Sequence, residues 1–271
     1  DGINQNFKAD GITTYKVLIR DADNHQCLDS IFTTPSACPI PKISVTKVLQ
    51  SNQIQSDASY AIVYHLQVKN TGTETGTYTL IDDPHFDDDA KVLTTFYTSD
   101  IPNRGGSALL GSGPWTLISN QSIAPDSVHN IYFHINLKLD FSSGSTGDNK
   151  YTKCGTSSST HFSSGEGLFN RALLDFDANG SIDAIDTSCT DIPYITIDKE
   201  LISSTQTGVK TYTLQYQLLV KNLGGADGIY NLIDRPGFDD DINITSAEFT
   251  SNSGLSGMLS NVVPMNGWII A

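Results

Sequence analysis

The stretch Leu66–Asp89, LQVKNTGTETGTYTLIDDPHFDDD, occurs twice. Its second copy, LLVKNLGGADGIYNLIDRPGFDDD, runs from Leu218 to Asp241, an offset of 152 residues with no gap. Lys69-Asn70, Gly72, Gly76, Tyr78, Leu80-Ile81-Asp82, Pro84 and Phe86-Asp87-Asp88-Asp89 all recur in place. The match continues outward: Ile43–Leu49, ISVTKVL, lines up with Ile195–Leu201, ITIDKEL, and Trp115 lies one residue out of step with Trp268. Self-similarity at a fixed period marks an array of one module. A full unit spans residues 43–194. A second begins at Ile195 and reaches Ala271 about halfway through. Residues 1–42 read as the closing strands of a preceding module plus a linker. With no starting Met and no signal peptide, the chain reads as a segment of a longer protein.

Within the repeat the hydrophobic period is two, which is the period of strands. Tyr60, Ile62, Tyr64, Leu66 and Val68 face one way and Ala61, Val63, His65, Gln67 and Lys69 the other; the second copy keeps the inward set as Tyr212, Leu214, Tyr216, Leu218 and Val220. Residues 129–141 alternate as strictly, with Ile131, Phe133, Ile135, Leu137, Leu139 and Phe141 inward. KVLTTFYTS, PWTLI and GLFNRALLD supply further strands, DFDANGSIDAID reads as the last loop, and a Gly/Ser/Pro/Asn loop separates the first two strands. Before the repeat, Tyr15, Val17 and Ile19 alternate with Lys16, Leu18 and Arg20, and CLDSIFTTP returns after a turn. Several short strands separated by turns predict an all-β protein of tandem immunoglobulin-like β-sandwich repeats. The second copy has no counterpart of residues 129–141 or 167–175, so it is expected to expose a sheet edge and an apolar face. Further chain, or a neighbouring subunit adding a strand, is expected to cover it.

The formal net charge is −14, from 16 Lys and Arg against 30 Asp and Glu. That excludes nucleic acid as the expected partner, because binding it needs cations to displace counterions. No apolar run approaches a membrane-spanning length. The expected partners are neighbouring repeats of the same protein and other subunits of a filament or oligomer. The four cysteines, Cys27, Cys38, Cys154 and Cys189, form no C-x-x-C pair. Two disulfides are expected, with Cys27–Cys38 and Cys154–Cys189 the preferred pairing, since each lies within one domain. Such bonds place the protein outside the cell or on its surface. The second would contribute roughly 3–4 kcal/mol by constraining the unfolded chain. Four buried free thiols are the alternative.

Two resemblances follow. The TYxVxxxDAxNxxC pattern of residues 14–27 resembles the closing strands of short repeats in giant surface adhesins of gliding bacteria. GLFNRALLDFDANGSIDAIDTSCTDIP, with VKNxG…GxYxLxDxPxFDDD, resembles the conserved immunoglobulin-like repeat found in tandem in very large secreted proteins of Bacteroidota and other bacteria. The resemblance implies a cell-surface stalk, adhesin or filament, and carries over no catalytic residue.

Asp175–Asp186, DFDANGSIDAID, is the sharpest local signal. Oxygen ligands fall at loop positions of a calcium site: Asp175, Asp177, Asn179, Asp183 and Asp186, with Gly180 at the sharp turn, the Ser181 carbonyl as a further ligand and Ile182 packed inward. Asp replaces the usual final Glu, and a solvated acidic turn is the alternative. A second acidic group, Asp82, Asp87, Asp88 and Asp89, repeats as Asp234, Asp239, Asp240 and Asp241. It suits calcium at a sheet end, or a turn in which Asp side chains cap backbone N–H groups. There is no nucleophile elbow, zinc-protease helix or phosphate loop. The leading expectation is therefore a non-enzymatic structural or adhesive segment, calcium being the one cofactor considered. A carbohydrate-binding accessory module of a secreted enzyme is the alternative, and a carboxylate hydrolase a distant third.

Overall fold

In the computed structural model, residues 15–20, 28–33, 40–141, 152–155, 166–177 and 179–271 are described. Cys27 and Cys38, with their expected pairing, lie outside them. Every strand pairing among the described residues is antiparallel, and none of these residues is helical. The fold is all-β and of the immunoglobulin-like sandwich type. The chain divides into two compact units. One comprises Asp1–Phe86, Ala90–Leu139 and Phe169–Cys189, and the other Asp87–Asp89, Asp140–Leu168 and Thr190–Ala271.

The first unit begins with a hairpin of β1 (Tyr15–Arg20) and β2 (Leu28–Thr33), in register from Tyr15 opposite Thr33 to Arg20 opposite Leu28. A two-sheet sandwich follows. The five-stranded sheet has the order β3 (Ile43–Ile54), β4 (Tyr60–Asn70), β9 (Val128–Leu139), β6 (Ala90–Ser99), β7 (Gly105–Leu109). The four-stranded sheet has the order β11 (Ala184–Ser188), β10 (Asn170–Asp175), β5 (Gly76–Pro84), β8 (Trp115–Ile123). The alternation in β4 and β9 is realised as expected. Tyr60, Ile62, Tyr64, Leu66 and Val68 are buried, as are Ile131, Phe133, Ile135 and Leu137. Each such side chain contributes about 1.5–3 kcal/mol relative to exposure. Trp115 of β8 meets Phe133 of β9 with ring centroids 5.3 Å apart, joining the two sheets. Leu139 is only half-buried, because it ends its strand where the sandwich opens.

Two strands differ from the sequence reading. The Gly-rich loop after β6 contains β7, and the last three residues of the expected final loop, with Thr187 and Ser188, are strand β11, paired to β10 from Asn170 opposite Ser188 to Leu174 opposite Ala184. Both are short edge strands, too brief for a period to show.

Asn70 ends β4 and organises the following turn. Its Oδ1 accepts from the N–H of Lys42 (3.1 Å) and of Gly72 (2.9 Å), and its Nδ2 donates to the Glu74 carbonyl (2.8 Å) and the Ile123 carbonyl (3.1 Å). Gly72 is required here: a Cβ on it would stand 2.3 Å from the Ile40 carbonyl oxygen.

The second unit carries β12 (Ile195–Gly208) and β13 (Thr211–Asn222) as a long hairpin, β14 (Ile233–Asp234) paired with β17 (Trp268–Ile269), and β15 (Ala247–Thr250) paired with β16 (Ser256–Leu259). The inward set expected in β13 is largely exposed, with Tyr212 at 60%, Leu214 at 40% and Tyr216 at 36%. Among the described residues β13 pairs with β12 alone, and no strands in the places of β9 and β10 accompany it. Around residue 190 the chain is tied locally, Leu168 N–H to the Thr190 carbonyl (2.8 Å) and Ile192 N–H to the Thr152 carbonyl (2.9 Å). Cys154 and Cys189 are each disulfide-bonded, and the Cys154 N–H donates to Asp191 Oδ1 (2.7 Å).

Candidate functional site

The acidic loop after β10 is closed by the β10–β11 ladder, so residues 176–183 connect two paired strands. Its side chains build the turn. Asp175 Oδ2 accepts from Gly180 N–H (2.9 Å), Asp177 Oδ1 from Asn179 N–H (3.2 Å), Asn179 Oδ1 from Ser181 N–H (2.7 Å) and Asp183 Oδ2 from Phe176 N–H (2.9 Å). Gly180 takes a φ of 86°, as the sharp turn needs. Asp175, Asp177 and Asp183 can each offer an oxygen within 4.8 Å of the others. Asp175 is 6% exposed, and its Oδ1 has no hydrogen-bond partner. Asp186 does not join them. It belongs to β11, opposite Ala172, and its Oδ2 accepts from the Lys47 N–H (2.6 Å). Ile182 is exposed rather than packed inward, since no flanking helix pair offers it a core. Of the four carboxylates in the linear pattern, Asp175, Asp177 and Asp183 converge, and Asp186 is held in the β11 ladder instead.

The second acidic group also divides. Asp87, Asp88 and Asp89 converge within 4.8 Å, as do Asp239, Asp240 and Asp241. Asp87 N–H donates to the Gly167 carbonyl (2.8 Å) and Asp89 N–H to Asp87 Oδ1 (3.0 Å); Asp241 N–H makes the same bond to Asp239 Oδ1 (3.0 Å). Asp87 and Asp89 are buried, whereas Asp239, Asp240 and Asp241 are exposed. Burial, partly offset by the Asp89 N–H bond and reinforced by the Asp89 and Asp88 charges, pushes Asp87 up to about 7. Asp82 and Asp234 stand apart from both turns, each paired with a lysine.

That lysine pairing is the feature the sequence reading missed. Alternation in β3 turns Ile43, Val45 and Lys47 inward. Lys47 is 2% exposed and Asp82 0%. The Lys47 Nζ donates to Asp82 Oδ2 and to the Arg171 carbonyl (3.3 Å), and stands 4.8 Å from the centre of the Tyr64 ring. Asn170, the first residue of β10, is also fully buried. Its amide lies beside the Asp82 carboxyl and favours its ionised form. Yet neither Asn170 Oδ1 nor Nδ2 has a well-formed hydrogen bond, and Asp82 Oδ1 has none. Each such buried unpaired group costs about 1–3 kcal/mol. Burial pushes Lys47 below its ordinary value, against the pull of Asp82, and pushes Asp82 above its own, against the pull of Lys47. Both shifts favour the uncharged forms. The second copy repeats the arrangement in the open: Lys199 Nζ lies 2.5 Å from Asp234 Oδ1 and 4.7 Å from the centre of the Tyr216 ring. The signal was in the sequence, as a lysine at an inward strand position in both copies.

Histidines serve structural contacts: His129 Nδ1 with Tyr78 Oη (2.8 Å), His65 Nε2 with Asn130 Oδ1 (2.9 Å) and His85 Nε2 with Asp83 Oδ2 (3.1 Å).

No protein-family model matches the chain, and no curated protein matches it. Two solved structures are similar to it. One is BcpA, the major pilin subunit of Bacillus cereus, at 10% identity over 96% of this chain and 74% of that one, with a TM-score of 0.27. The other is a substituted form of BcpA, also described as the major pilin subunit of Bacillus cereus, at 10% identity over 92% of this chain and 71% of that one, with the same TM-score.

Proposed function

We propose that the chain is a structural and adhesive repeat segment of a large secreted surface protein, which transmits force and catalyses no reaction on a substrate. The observation that carries this reading is the repeat itself, residues 43–194 followed by a second copy from residue 195. Both copies keep the same Asn turn, the same inward lysine–aspartate pair and the same acidic turn. A repeated module with repeated internal ties suits a stalk or filament, where spacing and stiffness matter more than a unique cleft. A disulfide at Cys154 and Cys189 fits an extracellular setting. The partners on this reading are neighbouring repeats and, through the open edge of β13, a strand from another subunit.

Calcium belongs to the proposal at Asp175, Asp177 and Asp183, where the unpartnered Asp175 Oδ1 gives the convergence a reason. Calcium at about 100 times its dissociation constant should stabilise the first repeat by about 2.7 kcal/mol. Asp175→Ala should abolish that gain in a calcium titration followed by thermal unfolding, and a gain that survives the substitution would remove the site. The mechanical reading is tested by pulling the whole chain from both ends. A force peak for the first repeat well above any from the second is expected, and extension without a peak would overturn it.

One observation favours a second reading. On the outer face of the five-stranded sheet, His65 stacks on Tyr132 (4.7 Å) and Phe96 on His134 (4.3 Å), and the exposed parts of Tyr132 and Phe96 offer aromatic surface to a sugar ring. Glycan-array binding lost in Phe96→Ala and Tyr132→Ala would establish it.

A further inference from the structure

Three strands of the first repeat each send one polar side chain to the same buried place: Lys47 from β3, Asp82 from β5 and Asn170 from β10. We propose that Lys47 Nζ and Asn170 Cγ become joined by an amide bond inside the folded repeat, with Asp82 carrying the proton. As separate side chains the three make a poor core. A lysine and an aspartate are desolvated together, and three polar atoms in the cluster, Asp82 Oδ1, Asn170 Oδ1 and Asn170 Nδ2, lack a hydrogen bond. Native cores rarely tolerate such a group. As a reactant complex they are well placed. The amine is bonded to the carbonyl of Arg171, the residue that follows Asn170, and to the carboxyl beside the Asn170 amide.

The step balances without an oxidant or an added reactant. The uncharged amine attacks Asn170 Cγ, and the protonated Asp82 carboxyl donates to Asn170 Oδ1, where negative charge develops. A proton from Nζ passes through Asp82 to Nδ2. The Cγ–Nδ2 bond breaks, ammonia leaves, and the Cγ–Nζ amide remains with Asp82 as it began. Burial, which disfavours the charged forms of both Lys47 and Asp82, supplies the nucleophile and the acid that this step requires. Asn170 is the acceptor rather than Asp82, because its loss of ammonia removes the unpartnered Nδ2 donor. It also leaves Asp82 to accept from the new N–H. Direct coupling to Asp82 would keep the Asn170 amide unsatisfied. The product ties β3 of one sheet to β10 of the other. The bond forms whether or not the chain is a surface repeat, so it stands apart from the role proposed above. Lys199 and Asp234 have no counterpart of Asn170 in the 271 residues, so one bond is expected in this chain.

The test is the intact mass of the whole chain, with cysteines reduced and the protein denatured. It should be lighter than the sequence mass by one molecule of ammonia, and digestion should yield a branched peptide joining Lys47 to Asn170. Asp82→Ala and Lys47→Arg should each restore the sequence mass. Wild-type protein at the sequence mass overturns the proposal. So does loss of water, which places the bond at Asp82, and so does loss of ammonia without the branched peptide, which is ring closure at an asparagine. The wild-type measurement decides the matter even if a variant fails to fold.

Discussion

Asn70 and Asn222 hold the same turn in the two repeats. Asn70 Oδ1 accepts from Lys42 and Gly72 N–H, and Asn222 Oδ1 from Tyr194 (3.2 Å) and Gly224 (3.0 Å); each Nδ2 reaches a carbonyl four residues on, at 2.8 Å. The tryptophans agree as well, Trp115 Nε1 donating to the Leu110 carbonyl (3.0 Å) and Trp268 Nε1 to the Ser260 carbonyl (2.9 Å). What differs is cover. In the first repeat β9 and β10 enclose the inward face, and Tyr64 is fully buried; in the second its equivalent Tyr216 is 36% exposed. Turn chemistry is encoded within a few residues and survives without a core. Burial depends on strands far along the chain.

The largest effect expected from this contrast is at the lysines. Lys47→Met leaves Asp82 buried without its partner, whether the two form an ion pair or frame an amide. The first repeat should lose roughly 3–5 kcal/mol. Lys199→Met, at a pair open to water, should cost no more than about 1 kcal/mol. Urea unfolding of both variants checks this, and equal losses would show that burial is not what separates the two sites. Next come the apolar equivalents Ile62 and Leu214. Ile62→Ala should cost about 2–5 kcal/mol, as large-to-small core changes do. Leu214→Ala should stay within about 0.5 kcal/mol. A large loss at Leu214 in solution would mean that its face is covered there, and a concentration-dependent midpoint would identify a second copy as the cover.

A smaller difference is expected at the shared turn. Asn70→Ala removes hydrogen bonds from a buried site, one of them to the Ile123 carbonyl of β8, and should cost about 1–3 kcal/mol. Asn222→Ala acts where water can replace the lost partners, so its cost should sit near the low end of that range. Thermal midpoints of the two variants give the comparison.

Most of the sandwich was legible because a period of two, held over Tyr60–Val68 and again over Ile131–Leu137, has one physical reading. The short edges β7 and β11 were not, since five residues beside Gly or Asp turns carry no period. The acidic loop was visible as a pattern of oxygens, but spacing alone could not show that Asp186 sits in a ladder and turns to the Lys47 N–H. Lys47 was visible only as a repeated letter, and Asp82 only as a member of the acidic group. A charge in the core shows itself by position on the strand, and the lysine's inward register was the clue. Asn170 carried no signal at all: one asparagine in GLFNRALLD, whose meaning depends on β3 and β5 lying beside it.

The acidic turns give the last contrast, through pH. An aspartate in an unfolded chain titrates near about 3.9, while burial holds Asp87 up to about 7. Between those values the folded repeat keeps a proton that the unfolded chain has released. Stability should therefore be fullest below about pH 4 with respect to this group, and should fall as pH rises to about 7. The measurement is urea unfolding across that range in the presence of a chelator, so that no cation neutralises the turn. Asp87→Asn should flatten the slope, since an amide has no proton to lose, whereas Asp239→Asn in the exposed copy should leave it unchanged. A slope that persists in Asp87→Asn would assign it to another group and break the link between burial at this turn and its charge.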